Sequence, residues 1–140
     1  MTIYHINQAG FVDQAQCIAS PNFDERPIDN ESGIINDINL IVIHNISLPP
    51  GQYGGNGIIE LFTNRLDADE HPYYAQIHTY KVSAHFLIRR DGALLQFVSC
   101  LNRAWHAGQS TWQGRERCND FSVGIELEGS DFEAFEPAQY

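Results

Sequence analysis

The chain has 140 residues, of which 43% are hydrophobic, and this combination is typical of a single domain with a substantial hydrophobic core. Eighteen acidic residues against eight lysines and arginines give a formal net charge of −10. Negative charge of this size opposes sequence-independent attraction to nucleic acid phosphates and to anionic lipid. We therefore expect neither nucleic acid nor a membrane as a partner.

Cysteine usage and the first residues bear on the cellular compartment. Cys17, Cys100 and Cys118 lie far apart and form no C-x-x-C pair, which favours neither a disulfide framework nor a cysteine zinc site. Residues 1–16 contain no lysine or arginine, so they lack the charged start of a secretory signal. No stretch approaches the roughly 20 apolar residues of a membrane helix. These features predict a cytoplasmic protein.

The first 35 residues show little periodicity. Turn and extended signals occur at residues 20–22 and 26–27, and residues 29–33 form a polar loop in this interpretation. We expect this segment to wrap over a core formed by residues 36–140, so that residues 1–140 make one domain.

The apolar run at residues 40–43, which ends at His44, predicts a strand buried on both faces. The carboxyl end of such a strand is where open sheets carry ligands and chemistry, so His44 is a candidate metal ligand. The alternative is a histidine that satisfies a backbone carbonyl at a strand end. Position alone leaves both interpretations open.

The loop at residues 49–57 contains two prolines and four glycines. Because these residues allow backbone conformations that others resist, the loop is suited to the rim of a cleft.

A short amphipathic helix is predicted at residues 58–62, followed by a polar connection at 64–72. A second apolar segment follows at residues 73–80. Residues 82–89 alternate between apolar and polar positions, as a strand does.

The second half of the chain contains a hairpin signal and one further strong strand. Asp91 and Gly92 predict a tight turn that returns the chain through residues 93–98. Residues 121–127 alternate again and predict a strand. Strands and helices mixed in this order predict an α/β fold, with a central mixed β-sheet flanked by helices.

Glu126 lies on the face of the predicted strand 121–127 that otherwise carries the small residues Ser122 and Gly124. A carboxylate in the middle of an apolar strand is costly unless it is hydrogen-bonded, paired or close to a metal. Glu126 is therefore a candidate catalytic residue. The alternative is a strand glutamate that points to solvent.

Four separated motifs, in the same order, resemble the type 2 N-acetylmuramoyl-L-alanine amidases, and most closely the AmpD branch, which cleaves 1,6-anhydro-muropeptides during cell-wall recycling. The motifs are HNISLPPG at 44–51, SAHFLIRRDG at 83–92, RAWHAG at 103–108 and GIELEG at 124–129. The resemblance runs from about residue 20 to the last residue. It implies the mixed α/β architecture of this family and a muropeptide substrate.

The resemblance also implies zinc-dependent hydrolysis of the amide between the lactyl group of N-acetylmuramic acid and L-alanine. By position, His44 matches a zinc ligand of the family and Glu126 matches its catalytic glutamate, a general base that acts on water. His85 and His106 lie within family motifs but match no zinc ligand, and we expect them to have structural or supporting roles.

Substrate contacts follow from the same matches. Asn45 and Trp105 match positions that line the peptide groove, and Tyr73 matches an active-site tyrosine, although aromatic residues at this density are usually core. Arg117 matches a basic residue that clamps a stem-peptide carboxylate, which suits the fork geometry of a guanidinium group. Lys81 stands where AmpD relatives often carry an arginine, so bidentate recognition is not expected there.

The zinc site is the main departure from the family pattern. The family holds zinc with two histidines and an aspartate, and only His44 has a match in these residues. In residues 135–140, Pro137 stands at a likely first position of a helix, so we expect a helix to start there. A single turn cannot repay helix nucleation, so we expect a family domain that is truncated at its C-terminus. Such a truncation would leave apolar sheet surface uncovered and allow self-association. The alternatives to a zinc amidase are a muropeptide-binding module and an inactive truncated form.

Overall fold

A computed structural model describes residues 2–28, 32–33 and 37–140 of the chain. Its regular elements, in chain order, are β1 (Gln16–Cys17), β2 (Phe23–Glu25), β3 (Leu40–Ile46), α1 (Gly57–Phe62), α2 (Pro72–Ile77), β4 (Phe86–Ile88), β5 (Leu94–Gln96), β6 (Asn102–Ala104), β7 (Thr111–Trp112), β8 (Arg115–Glu116) and β9 (Ser122–Glu128), with 3₁₀ turns at Cys118–Phe121 and Pro137–Gln139. Neither helix in this described part is long and apolar enough to cross a membrane.

The main sheet has five strands in the order β1-β5-β4-β9-β3. The pairs β1–β5, β4–β9 and β3–β9 are parallel, whereas β4 and β5 form an antiparallel hairpin. Two small antiparallel pairs, β2–β6 and β7–β8, lie outside this sheet. The predicted mixed α/β fold with a mixed sheet is confirmed.

Both helices pack on one face of the sheet. Apolar side chains of α1 and α2 share a core with Leu87 and Leu95, which are register partners on β4 and β5. Leu87 is in turn the register partner of Glu126, and Glu126 is the partner of His44. Because residues in register share a face, the helices cover the same side of the sheet that carries His44 and Glu126.

The prediction that the first apolar run is buried on both faces is wrong. That strand, β3, does form and extends beyond His44 to Ile46, but Ile41 is 63% exposed and Ile43 is 56% exposed. These two side chains point away from the helix-covered face. Among the described residues, no helix packs over them, which is why they stay in contact with solvent.

Strand β9 has an unusual distribution of burial. Its polar and small residues Ser122, Gly124 and Glu126 are buried, whereas the apolar residues Val123 and Ile125 between them are only half-buried. The alternation predicted for residues 121–127 is therefore present, with the face that carries Glu126 turned to the protein interior.

In the central part of the chain the predicted strands form, but they are shorter than predicted. Of residues 82–89, only Phe86–Ile88 form a strand, because the backbone N–H of Ser83 turns away and donates to the carbonyl of Trp105. The hairpin turn at Asp91 and Gly92 is confirmed, and Gly92 adopts a φ of 85°, which favours glycine. Most of helix α2 (Pro72–Ile77) lies within the apolar segment 73–80, and His71 caps its first turn.

The N-terminal segment is mostly irregular, as predicted, but it adds β1 and β2 to the structure. Arg26, which is buried, donates hydrogen bonds to the backbone carbonyls of Cys100, Asn119, Asp120 and Ser122, and so ties this segment to the core. Of the predicted polar loop, residues 29–31 lie outside the described residues. At the other end, Pro137 begins a 3₁₀ turn in which Glu136 and Gln139 form a reciprocal capping box.

Candidate active site

His44 lies near the carboxyl end of β3 and contacts another histidine. Its Nε2 atom is 2.9 Å from Nδ1 of His106, and the two rings meet edge to face with centroids 5.2 Å apart. The Nε2 atom is the only atom of the His44 ring with a hydrogen-bond partner in the described part of the chain. Burial lowers the pKa of His44, so the imidazole stays neutral and keeps a lone pair for a ligand.

The His106 ring occupies space that exists because residue 124 is glycine. A Cβ atom built on Gly124 would overlap the His106 ring. On its far side, the Nε2 atom of His106 lies 3.2 Å from the hydroxyl of Ser122. Burial is the main cause that lowers the pKa of His106, to about 3, and the nearby His44 and His85 act in the same direction. His106 is therefore a neutral side chain held between β9 and the His44 ring.

His85 has a structural role that its hydrogen bonds define. Its Nδ1 atom accepts from the backbone N–H of Gly124 at 3.1 Å, and its Nε2–H donates to the carbonyl of Asn102 at 2.9 Å. Because a backbone N–H only donates and a carbonyl only accepts, the tautomer of His85 follows directly. Burial lowers its pKa to about 4. His85 therefore links β9 to the first residue of β6.

Glu126 is a carboxylic acid held in an apolar environment. It is 8% exposed, and its Oε2 atom is buried and has no hydrogen-bond partner among the residues that the structure describes. Burial raises the pKa of Glu126 to about 7. A carboxyl group with a pKa near neutrality can accept and release protons at physiological pH, which is the property required of a general base and acid.

Glu128, two residues further on, has a different environment. It is also buried, but it accepts hydrogen bonds from the backbone N–H of Gly54 at 2.7 Å and from Arg89 at 3.2 Å. These contacts join the glycine-rich loop to β9 and to the β4–β5 hairpin. Glu126 and Glu128 thus differ: among the described residues, the Glu128 carboxylate has partners, whereas the Glu126 Oε2 atom has none.

Asn45 and Tyr73 line one cleft, together with the loop that follows β3. The cleft floor is apolar, with Leu48, Leu61 and Ile77. The Asn45 side chain donates to Asp131 at 2.7 Å across this cleft. Tyr73 is 37% exposed and is therefore not a core residue.

Trp105 and Arg117 lie elsewhere on the surface. The Trp105 indole N–H donates to Asp24 at 3.2 Å, and the next residue in the chain is His106. Arg117 has an 80% exposed side chain and lines a hollow with Ser110 and Thr111. The same two residues also line the hollow beside His44. The structure thus brings together His44 with Glu126 and Asn45 with Tyr73, and places Arg117 in an adjoining hollow.

The described residues do not form a complete zinc site. Among residues 2–28, 32–33 and 37–140 there is no group of three or more His, Cys, Asp or Glu side chains that could hold a metal ion. Catalytic zinc generally has three protein ligands. His44 could therefore supply one metal ligand, but the described residues do not supply the further ligands that such a site needs.

Two contacts of this site were not predicted from the sequence. The hydrogen bond between His106 and His44 joins residues 62 positions apart, and the Asn45–Asp131 bond joins residues 86 positions apart. For His106, the available signal was its place within the RAWHAG motif and the small residue Gly124 on the strand of Glu126. For Asp131, the sequence offered no signal.

The mixed sheet of this α/β protein carries a neutral histidine and a carboxyl group of raised pKa on adjacent parallel strands, and such an arrangement is suited to proton transfer. The N-acetylmuramoyl-L-alanine amidase family, Amidase_2, matches residues 35–140. The chain belongs to this family, and the resemblance seen in its motifs is confirmed.

Curated relatives of this family are similar over nearly the whole chain. The 1,6-anhydro-N-acetylmuramyl-L-alanine amidase AmpD of Salmonella typhimurium is 53% identical over 131 residues, which is 94% of this chain and 67% of that protein. The AmpD of Escherichia coli strain K12 is 52% identical over 133 residues, or 95% of this chain and 69% of that protein. This chain therefore spans about two thirds of the length of these relatives.

Solved structures agree with this assignment. The crystal structure of a Se-Met AmpD derivative superposes with a TM-score of 0.87 at 53% identity, over 95% of this chain and 71% of that one. The solution structure of Citrobacter freundii AmpD gives a TM-score of 0.62 at 51% identity, over 97% of this chain and 70% of that one.

Proposed function

We propose that this chain acts as an amidase that cleaves the bond between the lactyl group of 1,6-anhydro-N-acetylmuramic acid and L-alanine, a step in cell-wall recycling. The observation that carries the proposal is the pairing of Glu126 with His44 across β3 and β9, on the face that the helices cover. The similarity to AmpD proteins named for this reaction supports the choice of substrate.

Glu126 is proposed as the general base. Its pKa of about 7 allows the carboxylate to take a proton from the attacking water and to return it to the leaving amine of L-alanine. The Oε2 atom supports this role, because it is buried without a hydrogen-bond partner among the described residues, and an unsatisfied buried carboxyl oxygen is a feature that functional sites retain.

His44 is proposed as a ligand of Zn²⁺. Its neutral ring and its single hydrogen bond, through Nε2 to His106, suit a metal ligand oriented by a second residue. The described residues supply no second or third protein ligand beside it. We therefore assign to His44 the role of one ligand only.

Four residues are proposed as substrate contacts. Asn45 and Tyr73 line the cleft beside the carboxyl end of β3, where the muropeptide would lie across an apolar floor. The exposed guanidinium of Arg117 is available to a carboxylate of the stem peptide. Trp105 is proposed as a groove residue, since it directly precedes His106.

A second candidate function is favoured by the incomplete ligand set. With His44 as its only donor among the described residues, the chain could bind a muropeptide without cleaving it. Both functions use the cleft of Asn45 and Tyr73, and they differ only in turnover.

The test is to incubate the 140-residue chain with 1,6-anhydro-N-acetylmuramyl-L-alanine tripeptide and zinc, and to follow release of the free peptide by mass spectrometry. Glu126→Gln should lower turnover about 10²- to 10⁴-fold, because the amide cannot accept the proton. Glu70→Gln, which makes the same chemical change at an exposed position, should leave turnover unchanged.

Binding is measured in parallel by calorimetry. Substrate binding without turnover in the wild-type chain would overturn the amidase proposal for these residues and support the binding module. Equal turnover in wild type and Glu126→Gln would remove Glu126 from the role of base.

We further propose a cytoplasmic location. The three cysteines are all free thiols in the structure, as is typical of a reducing compartment. Fractionation of cells that produce the protein, followed by immunodetection, would test this.

A further inference from the structure

Trp105, one of the proposed substrate contacts, has a side chain that is fixed at its polar end. The indole Nε1–H donates a hydrogen bond to Oδ1 of Asp24 at 3.2 Å. Tryptophan has this one side-chain donor and no acceptor, so the bond to Asp24 uses its whole hydrogen-bonding capacity. Because the N–H lies in the plane of the indole, this bond restricts the orientation of the ring.

The backbone of Trp105 is fixed as well. Its N–H donates to the hydroxyl of Ser83 at 3.1 Å, and its carbonyl accepts from the backbone N–H of Ser83 at 3.0 Å. Ser83 is buried. Trp105 is therefore held at two backbone atoms and at the far end of its side chain. A side chain that is ordered before the ligand arrives lowers the entropic cost of binding.

Asp24 is itself held in place by an arginine. Arg103, its register partner on β6, donates from Nε to Oδ1 at 2.7 Å and from Nη2 to Oδ2 at 2.6 Å. Arg103 also donates to the buried Asp120 at 2.6 Å. The hydrogen bonds from Arg103 are the main cause that lowers the pKa of Asp24, so its carboxylate stays ionised and only accepts. Asp24 is a fixed acceptor for the indole N–H.

Asp24 comes from a part of the chain that precedes the residues matched by the family model. It lies on β2, whereas the model matches residues 35–140. The antiparallel pairing of β2 with β6 brings Asp24 opposite Arg103, and Trp105 directly follows the last residue of β6. The N-terminal segment therefore supplies a contact to a residue of the candidate site.

We propose that Asp24 is a positioning residue for muropeptide binding: through the indole N–H, it holds Trp105 in the orientation in which the ring packs against the ligand. The inference rests on the proposed function, because it takes the muropeptide as the ligand and Trp105 as one of its contacts. Loss of Asp24 should weaken binding and raise KM, while kcat stays similar.

Fluorescence tests the positioning without any ligand. The chain has two tryptophans, so Trp112→Phe leaves Trp105 as the single reporter. In this background, Asp24→Ala should lower the time-resolved anisotropy of Trp105, because its ring is free to turn. Asp69→Ala removes an aspartate at an exposed position and is the matched control. It should leave the anisotropy unchanged.

A double-mutant cycle then tests whether Asp24 acts through the indole. Binding of 1,6-anhydro-N-acetylmuramyl-L-alanine tripeptide is measured by calorimetry. Asp24→Ala should weaken it roughly 3- to 10-fold, the effect expected from one hydrogen bond. Trp105→Phe keeps an aromatic ring but lacks the N–H, so Asp24→Ala should change the affinity less than about twofold in that background. A residue that only stabilises the fold would weaken binding equally in both backgrounds.

Asp24→Asn is the second variant of the cycle. Its amide oxygen can still accept from the indole, but the two-point pairing with Arg103 is lost. The loss of affinity should therefore be smaller than in Asp24→Ala, and it should also disappear in the Trp105→Phe background. Thermal unfolding of each variant shows that it is folded at the temperature of the binding measurement, and the cycle can be completed with either substitution.

Two outcomes would overturn the inference and leave the proposed function intact. One is an anisotropy of Trp105 that is the same with and without the Asp24 carboxylate. The other is an equal loss of affinity in the wild-type and Trp105→Phe backgrounds. Absence of muropeptide binding by the folded wild-type chain would instead overturn the proposed function, and the inference with it.

Discussion

Glu126 stands directly between His44 and Leu87 in the register of three parallel strands. The carboxyl group therefore has a neutral imidazole on one side and a fully buried aliphatic side chain on the other. No cation among the described residues is paired with it, so burial alone acts on its protonation and raises its pKa to about 7. The same arrangement that destabilises the carboxylate prepares it for proton transfer.

The first prediction concerns stability as a function of pH. The pKa of Glu126 rises from 4.5 in the unfolded chain to about 7 in the folded one, so the folded state binds the proton more tightly. The free energy of unfolding should therefore fall as pH rises from 4.5 to 7, and stay low above that range. Glu126→Gln removes this effect, and it should stabilise the chain at pH 8 by an amount of the order of 3 kcal/mol or less.

This is measured by urea denaturation of wild type and Glu126→Gln at pH 4 and pH 8, with a chelator present to exclude metal. The gap between the two proteins should be close to zero at pH 4. The exposed substitution Glu70→Gln serves as the control and should show no gap at either pH. A wild-type chain that is more stable than Glu126→Gln at pH 8 would contradict the assigned burial effect.

The second prediction concerns Gly124. In Gly124→Ala, the new methyl group would overlap the His106 ring, which would have to move away from His44. We expect a loss of stability of about 1–3 kcal/mol and a loss of turnover. Gly55→Ala is the control, because the nearest atom to its Cβ, the Leu48 carbonyl oxygen, is 4.0 Å away. Thermal unfolding and peptide release measure both effects, and equal behaviour of the two variants would contradict the packing argument.

The third prediction compares two arginines that contact the same carboxylate. Arg103 forms a bidentate pair with Asp24, at 2.7 and 2.6 Å, and reaches the buried Asp120 at 2.6 Å. Arg117 approaches Asp120 only at 3.6 Å from an exposed position. Arg103→Ala should cost about 3 kcal/mol, since it leaves the Asp120 carboxylate without its main partner. Arg117→Ala should cost less than about 0.5 kcal/mol.

Kinetics separate the two arginines further. If Arg117 binds a substrate carboxylate, Arg117→Ala should raise KM while kcat stays similar. An unchanged KM would remove Arg117 from the proposed substrate contacts, and a large loss of stability would assign it a structural role instead.

The fourth prediction concerns zinc. Catalytic zinc needs about three protein ligands, and no such group exists among the residues that the structure describes, so the 140-residue chain should not retain stoichiometric zinc. After equilibration with zinc and gel filtration, elemental analysis should find much less than one zinc ion per chain, in wild type and in His44→Ala alike. One tightly held ion in wild type that is lost in His44→Ala would contradict this prediction.

The sequence predicts much of the architecture because local patterns are strong where strands are long. The apolar run before His44 and the alternation around Glu126 predicted β3 and β9 to within two residues. Strands β1 and β2 have two and three residues, too few to show a period, and they form only because β5 and β6 offer backbone partners. Their existence is a property of the tertiary structure.

In the candidate site, too, some features could be predicted from the sequence and others arise only in the tertiary structure. His44 and Glu126 stood out in the sequence because a polar residue within or at the end of an apolar strand needs a reason to be there. The hydrogen-bond partners of His44 and of the adjacent Asn45 could not be predicted, because contacts across 62 or more positions depend on how loops return the chain to the sheet. His106 beside His44 is such a contact.

The sequence by itself determined the fold class, the family and the two residues at the centre of the candidate site. Only the tertiary structure decided which face of the sheet the helices cover: both pack on the side that carries His44 and Glu126, and Ile41 and Ile43 are left in solvent. The physical reason is that hydrophobic periodicity indicates which side chains favour burial. Which element buries them depends on packing between segments that lie far apart in the chain.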